Sequence, residues 1–302
     1  MSRPEFSRVA STNLSSGSSG PRALEGKVGI VTGASRGIGA AISENLASKG
    51  CSLVLNYTSE SSAAQTEELA TQLQEIHGIK AVAVQADMGS EAGPAHIVSV
   101  AKNHFQHPKT QKFQLDIIIN NAGIAGNMNI EETDTEKFAK QYNVNVRGPL
   151  LLMKAAMSYL PHDRSGRIVN LSSVSSSLGF IGQSVYGGTK AALEAMTRTW
   201  ARELSERATV NAINPGPVGT DMYWGNGPEF FEKISPFLKS TPLAAAREGI
   251  DSEKVYESSK SSGGRPAYNE EIAGVVAMLC LPESGWSTGS VVCANGGMRF
   301  SY

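Results

Sequence analysis

The sequence predicts an α/β fold, a doubly wound parallel sheet of seven strands with helices on both faces. Three observations carry that prediction. Short apolar, β-branched runs alternate with longer amphipathic stretches along most of the chain. The runs are continuous rather than alternating in polarity, which suits strands buried on both faces. The residues rich in chemistry fall just past the ends of those runs, where an open parallel sheet places its ligand crevice.

The first run holds Val28, Ile30 and Val31 and stops at Gly33. Ala34, Ser35 and Arg36 make a short turn, and Gly37 and Gly39 open a helix over 40–49. A turn between a buried strand and a helix N-terminus is an anion site, because backbone N–H groups and the helix dipole both favour a phosphate. The spacing is G-x-x-x-G-x-G, not the G-x-G-x-x-G dinucleotide fingerprint, so the turn needs support from the rest of the chain.

Further strands are expected at 52–56, 81–85, 115–119, 167–171, 209–213 and 290–294. Helices are expected at 61–77, 95–104, 135–160 (bent near Gly148-Pro149), 186–205 and 270–281, with a polar loop over 105–114. Crossovers between parallel strands are right-handed. No second strand–helix series follows, so residues 24–302 read as one domain.

The stretch 220–266 interrupts the alternation with Trp224, Phe230, Phe231, Phe237 and Leu238, then a polar run from Glu248 to Gly264. Beside a crevice it reads as a lid or substrate lobe, the alternative being a surface insertion with its own small core. Residues 1–23 are rich in Ser and Gly, lack the apolar core of a secretory signal, and are expected to be a disordered tail.

The chain has 302 residues, 40% hydrophobic and 18% charged, with a net charge of −1. That supplies a full core and argues against nucleic-acid or electrostatic membrane binding. No apolar run is long enough to span a bilayer. Cys51, Cys280 and Cys293 lie far apart with no metal-ligand spacing, so no metal is expected and the thiols read as free in a reducing, cytoplasmic setting.

Tyr186 and Lys190 in YGGTK stand one helical turn apart and share a face. A phenol of pKa about 10 is a poor acid near neutrality, and an adjacent ammonium is expected to lower it. Ser172 and Ser173 end the fifth strand, where a hydroxyl can hold a carbonyl oxygen toward Tyr186. Asn145 falls mid-helix, an indifferent place for an amide; it fits a water relay or a polar core contact.

TGASRGIG, NNAG, NVNVRG, IVNLSS, YGGTK and NPGPVGT occur in this order, and the chain from about Leu24 to Gly297 resembles the short-chain dehydrogenase/reductase family. The resemblance implies a single Rossmann-type domain that transfers hydride between a nicotinamide cofactor and a carbonyl or alcohol carbon. It places the catalytic tetrad on Asn145, Ser173, Tyr186 and Lys190. Ser173 is preferred to Ser172 because it stands thirteen residues ahead of the tyrosine. The implied roles are proton donation by Tyr186, a lowered phenol pKa and a ribose contact from Lys190, carbonyl orientation by Ser173 and a water held by Asn145. Gly33, Ser35, Arg36, Ile38 and Gly39 are implied to cradle the phosphates. Asp87 and Asn121, Ala122 and Gly123 are implied to line the adenosine, and Pro215, Gly216, Val218 and Thr220 the nicotinamide. One departure is Ala294-Asn295-Gly296-Gly297 where the family often has V-D-G-G, which bears on a local turn or charge contact.

Cofactor choice can be read from the residues. A carboxylate after the second strand would bind a ribose 2′-hydroxyl and repel a 2′-phosphate. Tyr57 stands there instead, followed by Thr58 and Ser59, and the first acid is Glu60. With Arg36 close by in the turn, NADP(H) is favoured over NAD. NVNVRG, NPGPVGT and EEIAG with a terminal GG resemble the ketoreductase branch of 3-oxoacyl-carrier-protein and polyhydroxynaphthalene-type reductases. The expected activity is NADPH-dependent reduction of a hydrophobic or aromatic ketone, suited to secondary metabolism. A 3-oxoacyl thioester reductase, an oxidative alcohol dehydrogenase and a catalytically idle NADP-binding regulator are the alternatives. Apolar surplus on the helices over 135–160 and 186–205 adds the expectation of a homotetramer, as the family resemblance also implies.

Overall fold

A computed structural model describes residues 22–300. Nearly all of the expected tail lies outside them, but Arg22 is inside, ion-paired with Glu25. The chain then alternates as its periodicity predicts: β1 (Val28–Val31), α1 (Gly37–Ser48), β2 (Ser52–Tyr57), α2 (Ala63–His77), β3 (Ala81–Gln85), α3 (Gly93–Phe105) and β4 (Ile117–Asn120). The second half runs α4 (Thr135–Tyr142), α5 (Gly148–Ala156), β5 (Gly166–Leu171), α6 (Ser175–Leu178), α7 (Ser184–Glu203) and β6 (Ala208–Ile213). The lobe holds α8 (Asp221–Trp224), α9 (Pro228–Ser240) and α10 (Glu253–Ser262), and α11 (Asn269–Cys280) and β7 (Val291–Val292) close the domain.

The sheet is parallel, in the order β3-β2-β1-β4-β5-β6-β7. Strand order reverses between β1 and β4, so the crevice opens past Val31 and Asn120. One face of the sheet buries Val31, Leu53, Leu55 and Ile119 against Ile42 and Leu46 of α1, Leu73 of α2 and Val276 of α11. The other buries Ile30, Val54 and Ile118 against Ile97 of α3, Leu152 of α5 and Trp200 of α7. Successive side chains of each strand thus serve opposite cores, which is why the strands read as unbroken apolar runs.

Two boundaries differ from expectation. The helix over 135–160 runs unbroken from Thr135 to Tyr159, but its hydrogen-bond register changes on the way. Between α4 and α5, residues Asn143–Arg147 form a π-helical turn just ahead of the expected bend at Gly148-Pro149. The last strand, at the edge of the sheet, is only two residues long and pairs with Ala212 and Ile213 of β6. On and just after α7, Leu193, Trp200 and Leu204 are buried and Met196 is partly buried against the same core, so that helix leaves little of the apolar surplus expected of it. Phe138, Leu150 and Met157, on and just after α4 and α5, stay exposed.

Candidate active site

The Gly-rich turn and the NNAG segment meet across the switch point. Asn121 donates from Nδ2 to the carbonyls of Thr32 (2.8 Å) and Gly33 (3.1 Å), and the Thr32 hydroxyl accepts from the N–H groups of Asn121 and Ala122, both at 3.0 Å. A Cβ at Gly39 would stand 2.1 Å from the Gly33 carbonyl oxygen, so only glycine lets α1 start this close to β1. No side chain caps α1, which leaves its first N–H groups turned to the crevice.

The crevice is one cavity of about 1670 Å³, larger than the ~300–1,000 Å³ of a single small-molecule pocket. A dinucleotide and a second small molecule fit it together. All the residues expected to bind cofactor line it: Gly33, Ser35, Arg36, Ile38 and Gly39, Tyr57 to Ser59, Asp87, Asn121 to Gly123, Pro215, Gly216, Val218 and Thr220. No carboxylate stands at the end of β2; Tyr57 is buried there, with Thr58 and Ser59 exposed beside it. Arg36 does not stand alone. Its Nε pairs with Oδ2 of Asp221, the first residue of α8, at 3.1 Å, both side chains well exposed.

Lys190 and Tyr186 sit deeper. Lys190 is buried, and its Nζ donates to the Leu171 carbonyl at 2.7 Å and lies 5.7 Å from the centre of the Tyr186 ring. Burial pulls its pKa down to about 8. The Tyr186 pKa is raised, chiefly by burial, while the Ser173 hydroxyl beside it pulls the other way. The expected lowering by Lys190 is therefore not what this chain shows by itself. Desolvation penalises both charged forms, and the ammonium is spent on a backbone carbonyl.

The two serines separate by orientation. Ser172 turns to α7, donating to Oε1 of Glu194 at 2.6 Å. Ser173 faces the phenol, its Oγ accepting from the N–H of Ser175 at 3.1 Å. Ser176 also donates to Glu194 Oε1, at 2.7 Å, so one carboxylate holds both flanks of Ser173. Gly187 lets α7 come this near, since a Cβ there would lie 2.5 Å from the Ser175 carbonyl oxygen.

Asn145 lies in the π-helical turn, fully buried. Its Oδ1 accepts from the Ile124 N–H (2.9 Å), and its Nδ2 donates to the Ile124 carbonyl (2.8 Å) and to Thr189 Oγ1 (3.0 Å). The amide thus makes the polar core contact, tying the loop after β4 to α7. A Cβ added to Gly123 would stand 3.3 Å from Lys190 Nζ and 3.4 Å from Asn145 Oδ1, so the two polar groups face one small gap.

The lobe over 220–266 covers the crevice with a small core of Ile234, Leu238 and Ala244. Phe230 and Phe237 line the cavity as expected; Trp224 and Phe231 do not. They pack on Tyr223, at 4.9 and 5.2 Å between ring centres, and Lys254 lies over Trp224. Phe180, edge-on to Phe237 at 4.8 Å, is an aromatic wall residue that sequence reasoning missed. Asn127, Asn129 and Gln183 are polar lining residues that it missed as well. Only a Gln three residues ahead of Tyr186, on the same helical face, hinted at them.

Asn295 resolves the departure in the last turn. Its Oδ1 accepts from the N–H groups of Gly297 (3.1 Å) and Arg299 (3.3 Å), and its Nδ2 donates to Asn214 Oδ1 at 3.3 Å. The amide closes the turn and also reaches the loop after β6, which a carboxylate could not do as a donor.

A half-buried tyrosine beside a buried lysine and a buried serine, at the foot of a dinucleotide-sized crevice, defines an oxidoreductase acting on a CH–OH or C=O carbon. Residues 27–229 match the short chain dehydrogenase family, and the chain belongs to it. It is 52% identical over 296 residues to an L-xylulose reductase of Aspergillus niger, covering 93% of this chain and 99% of that one. It is 36% identical over 279 residues to hydroxynaphthalene reductase-like protein Arp2 of Metarhizium brunneum, covering 92% and 96%. The angucycline C-6 ketoreductase LanV with bound NADP superposes with a TM-score of 0.77 at 30% identity, over 92% of this chain and 97% of that one. The chain therefore lies on the ketoreductase-like branch and is a reductase of a small-molecule carbonyl. No helix among the described residues is long and apolar enough to cross a membrane.

Proposed function

We propose that this protein is an NADPH-dependent ketone reductase of the cytoplasm, acting as a homotetramer. The observation that carries the reading is the convergence of Ser173, Tyr186 and Lys190 in the same cavity as the uncapped start of α1. NADPH supplies the hydride when bound. Gly33, Ser35, Ile38 and Gly39 would hold its pyrophosphate, Asp87 and Asn121 to Gly123 its adenosine, and Pro215, Gly216, Val218 and Thr220 its nicotinamide. The preference for NADPH is supported by Tyr57, Thr58 and Ser59 in place of a carboxylate, by Arg36 at the same mouth, and by a structural neighbour with bound NADP.

Tyr186 donates its proton to the nascent alkoxide while Ser173 holds the carbonyl oxygen. The raised phenol pKa keeps that proton in place at neutral pH until the oxyanion forms. Lys190 is set to meet the ribose and to stabilise the phenolate. Asn145 positions the loop after β4 and keeps an acceptor lone pair toward a water beside Lys190.

Two ketone classes fit the walls. Phe180, Phe230 and Phe237 favour the apolar or aromatic ketone expected from the lobe. The polar wall of Asn127, Asn129 and Gln183, with relatives named for L-xylulose and hydroxynaphthalene, favours a hydroxylated one. NADPH oxidation over a panel of ketoses, quinones, cyclic ketones and 3-oxoacyl thioesters tests the reading. NADPH binding with no turnover on any member would place the chain among idle cofactor-binding regulators instead.

A further inference from the structure

Ser173 and Ser175 form a hydroxyl pair, and both line the cavity. The Ser173 Oγ accepts from the Ser175 N–H at 3.1 Å and donates to the Ser175 Oγ at 3.0 Å. The backbone around the pair is held on three sides. The Ser176 N–H donates to the Ser173 carbonyl at 3.1 Å, and Glu194 ties down the flanking Ser172 and Ser176. The Ser175 carbonyl packs against α7, where a Cβ on Gly187 would stand 2.5 Å from its oxygen. The pair therefore keeps its place relative to Tyr186, the residue just before Gly187.

A serine hydroxyl has one proton to give and two lone pairs to fill. As the pair stands, the Ser173 proton is spent on Ser175, and one Ser173 lone pair stays open. Among the described residues, none takes the Ser175 hydroxyl proton. A ketone oxygen needs the reverse arrangement. Hydroxyl hydrogens rotate, so Ser175 can turn its proton onto the open lone pair of Ser173. Both lone pairs of Ser173 are then filled by one residue, and its own proton has one direction left, toward Tyr186 and the carbonyl oxygen. A hydroxyl that accepts hydrogen bonds also donates more strongly, because bonds in a chain polarise one another. With no lone pair open, Ser173 no longer competes for the phenol proton, which stays aimed at the substrate.

We propose that Ser175 is a positioning residue for the reduction: by donating to Ser173, its hydroxyl commits the Ser173 and Tyr186 protons to the carbonyl oxygen. The inference rests on the ketone-reductase reading and adds to it a hydroxyl that acts through Ser173.

The test reads Tyr186 directly. Protein carrying carbon-13 at the tyrosine Cζ is titrated by NMR, the Tyr186 signal being the one lost in Tyr186→Phe. Ser175→Ala keeps the backbone N–H and removes only the hydroxyl. That cuts the donor chain to the phenolate and opens a Ser173 lone pair to the neutral phenol. Both effects favour the neutral form, so the Tyr186 titration is expected to move up by ~0.5 pH unit. Lys190 lies 5.7 Å from the phenol ring centre, Glu194 stands behind the serine loop, and Glu132, Lys140, Glu229 and Lys233 line other parts of the cavity. The variant changes none of these charges. In ketone reduction, Ser175→Ala is expected to lower kcat ~5-fold, the scale of one hydrogen bond, with NADPH affinity unchanged. Ser175→Thr, which keeps a hydroxyl, should return both readings to wild type. In a Ser173→Ala background, Ser175→Ala should move neither reading further. A merely structural Ser175 would change the thermal midpoint and leave the Tyr186 titration in place. An unmoved titration overturns the proposal, and so does an equal shift in the two backgrounds. Ser175→Cys, nearly isosteric and a weak donor, supplies the same comparison if Ser175→Ala does not fold. Absence of turnover on every ketone counts against the reductase reading alone, because the titration needs neither cofactor nor ketone.

Discussion

Lys190 donates from Nζ to the carbonyl of Leu171, the last residue of β5, at 2.7 Å. The bond pins the lysine between strand and helix while burial pulls its pKa to about 8. Between that value and the ~10.4 of an unfolded lysine, the unfolded chain binds more protons than the folded one. Stability of the cofactor-free protein therefore rises with pH across that window, and below about 8 the whole penalty of the buried charge stands. Lys190→Met is expected to stabilise the cofactor-free protein at pH 7. The shift of about 2.5 units is worth ~3 kcal/mol, and the Leu171 carbonyl left unpaired gives back ~1. The advantage should vanish above about pH 11, beyond the pKa of the unfolded lysine, where both states are neutral. Urea denaturation at the two pH values checks it, and a variant less stable than wild type at pH 7 contradicts it. The same variant should lose turnover and NADPH affinity together; an unchanged NADPH dissociation constant would mean that Lys190 does not reach the ribose.

Tyr186→Phe removes the phenol oxygen and nothing else. Reduction should be abolished while NADPH affinity stays within about twofold of wild type. Because burial raises the phenol pKa, the wild-type reduction rate should show no loss through neutral pH and fall only on the alkaline side. A decline already complete at pH 7, or wild-type turnover in Tyr186→Phe, would remove the tyrosine from its role.

The Arg36–Asp221 pair spans the mouth of the crevice, from the Gly-rich turn to the lobe. Such exposed pairs contribute at most ~1 kcal/mol, so a 2′-phosphate can take the guanidinium from Asp221 at small cost. Arg36→Ala should weaken NADPH more than NADH, by roughly 1–3 kcal/mol in the difference. Asp221→Ala should tighten NADPH by a few-fold and leave NADH nearly unchanged. Equal losses for both cofactors in Arg36→Ala would show that Arg36 reads the shared adenine or pyrophosphate.

Glu194 is a positioning residue on the far side of Ser173. Its Oε1 accepts from Ser172 and Ser176, which holds the serine loop to the helix carrying Tyr186. Glu194→Ala is expected to lower kcat about tenfold, the scale of ~1.4 kcal/mol, with NADPH affinity unchanged. In a Ser172→Ala/Ser176→Ala background the same change should do almost nothing further, since the two routes are one. Additive losses in that cycle would mean that Glu194 acts elsewhere.

Much of this molecule is legible in the chain because its strands serve two cores. Ile30 and Val31 point to opposite faces and are both fully buried, so the run is apolar throughout and easy to see. Gly33, Asn121, Ser173 and Tyr186 follow from it, each a strand end or a helix start at the crevice. What was hidden is what depends on contacts between distant segments. Within the π-helical turn Asn145 bonds Ile124 and Thr189, partners that no local periodicity reveals. The Tyr186 pKa depends on burial rather than on sequence spacing, so a Tyr and a Lys one turn apart suggested the opposite sign. Trp224 and Phe231 read as cavity wall but pack on Tyr223, since composition does not say which face of an aromatic lobe turns inward.

Phe138, Leu150 and Met157 remain exposed on and just after α4 and α5, with Phe138 stacked on Tyr142 at 4.5 Å between ring centres. These residues stand on the segment that carries the π-helical turn. Asn145 faces inward from that turn to Thr189 on α7. An apolar helix face of this kind is stabilised by a second copy across a two-fold axis. Covering it would brace the turn from behind and so steady the loop after β4 and the helix bearing Tyr186 and Lys190. We expect light scattering on the purified protein to give a tetramer, and Leu150→Glu to give smaller species with lowered kcat. NADPH affinity should fall less than kcat, because the Gly-rich turn lies across the sheet from α5. A monomer at micromolar concentration with full activity would refute both the assembly and its link to catalysis.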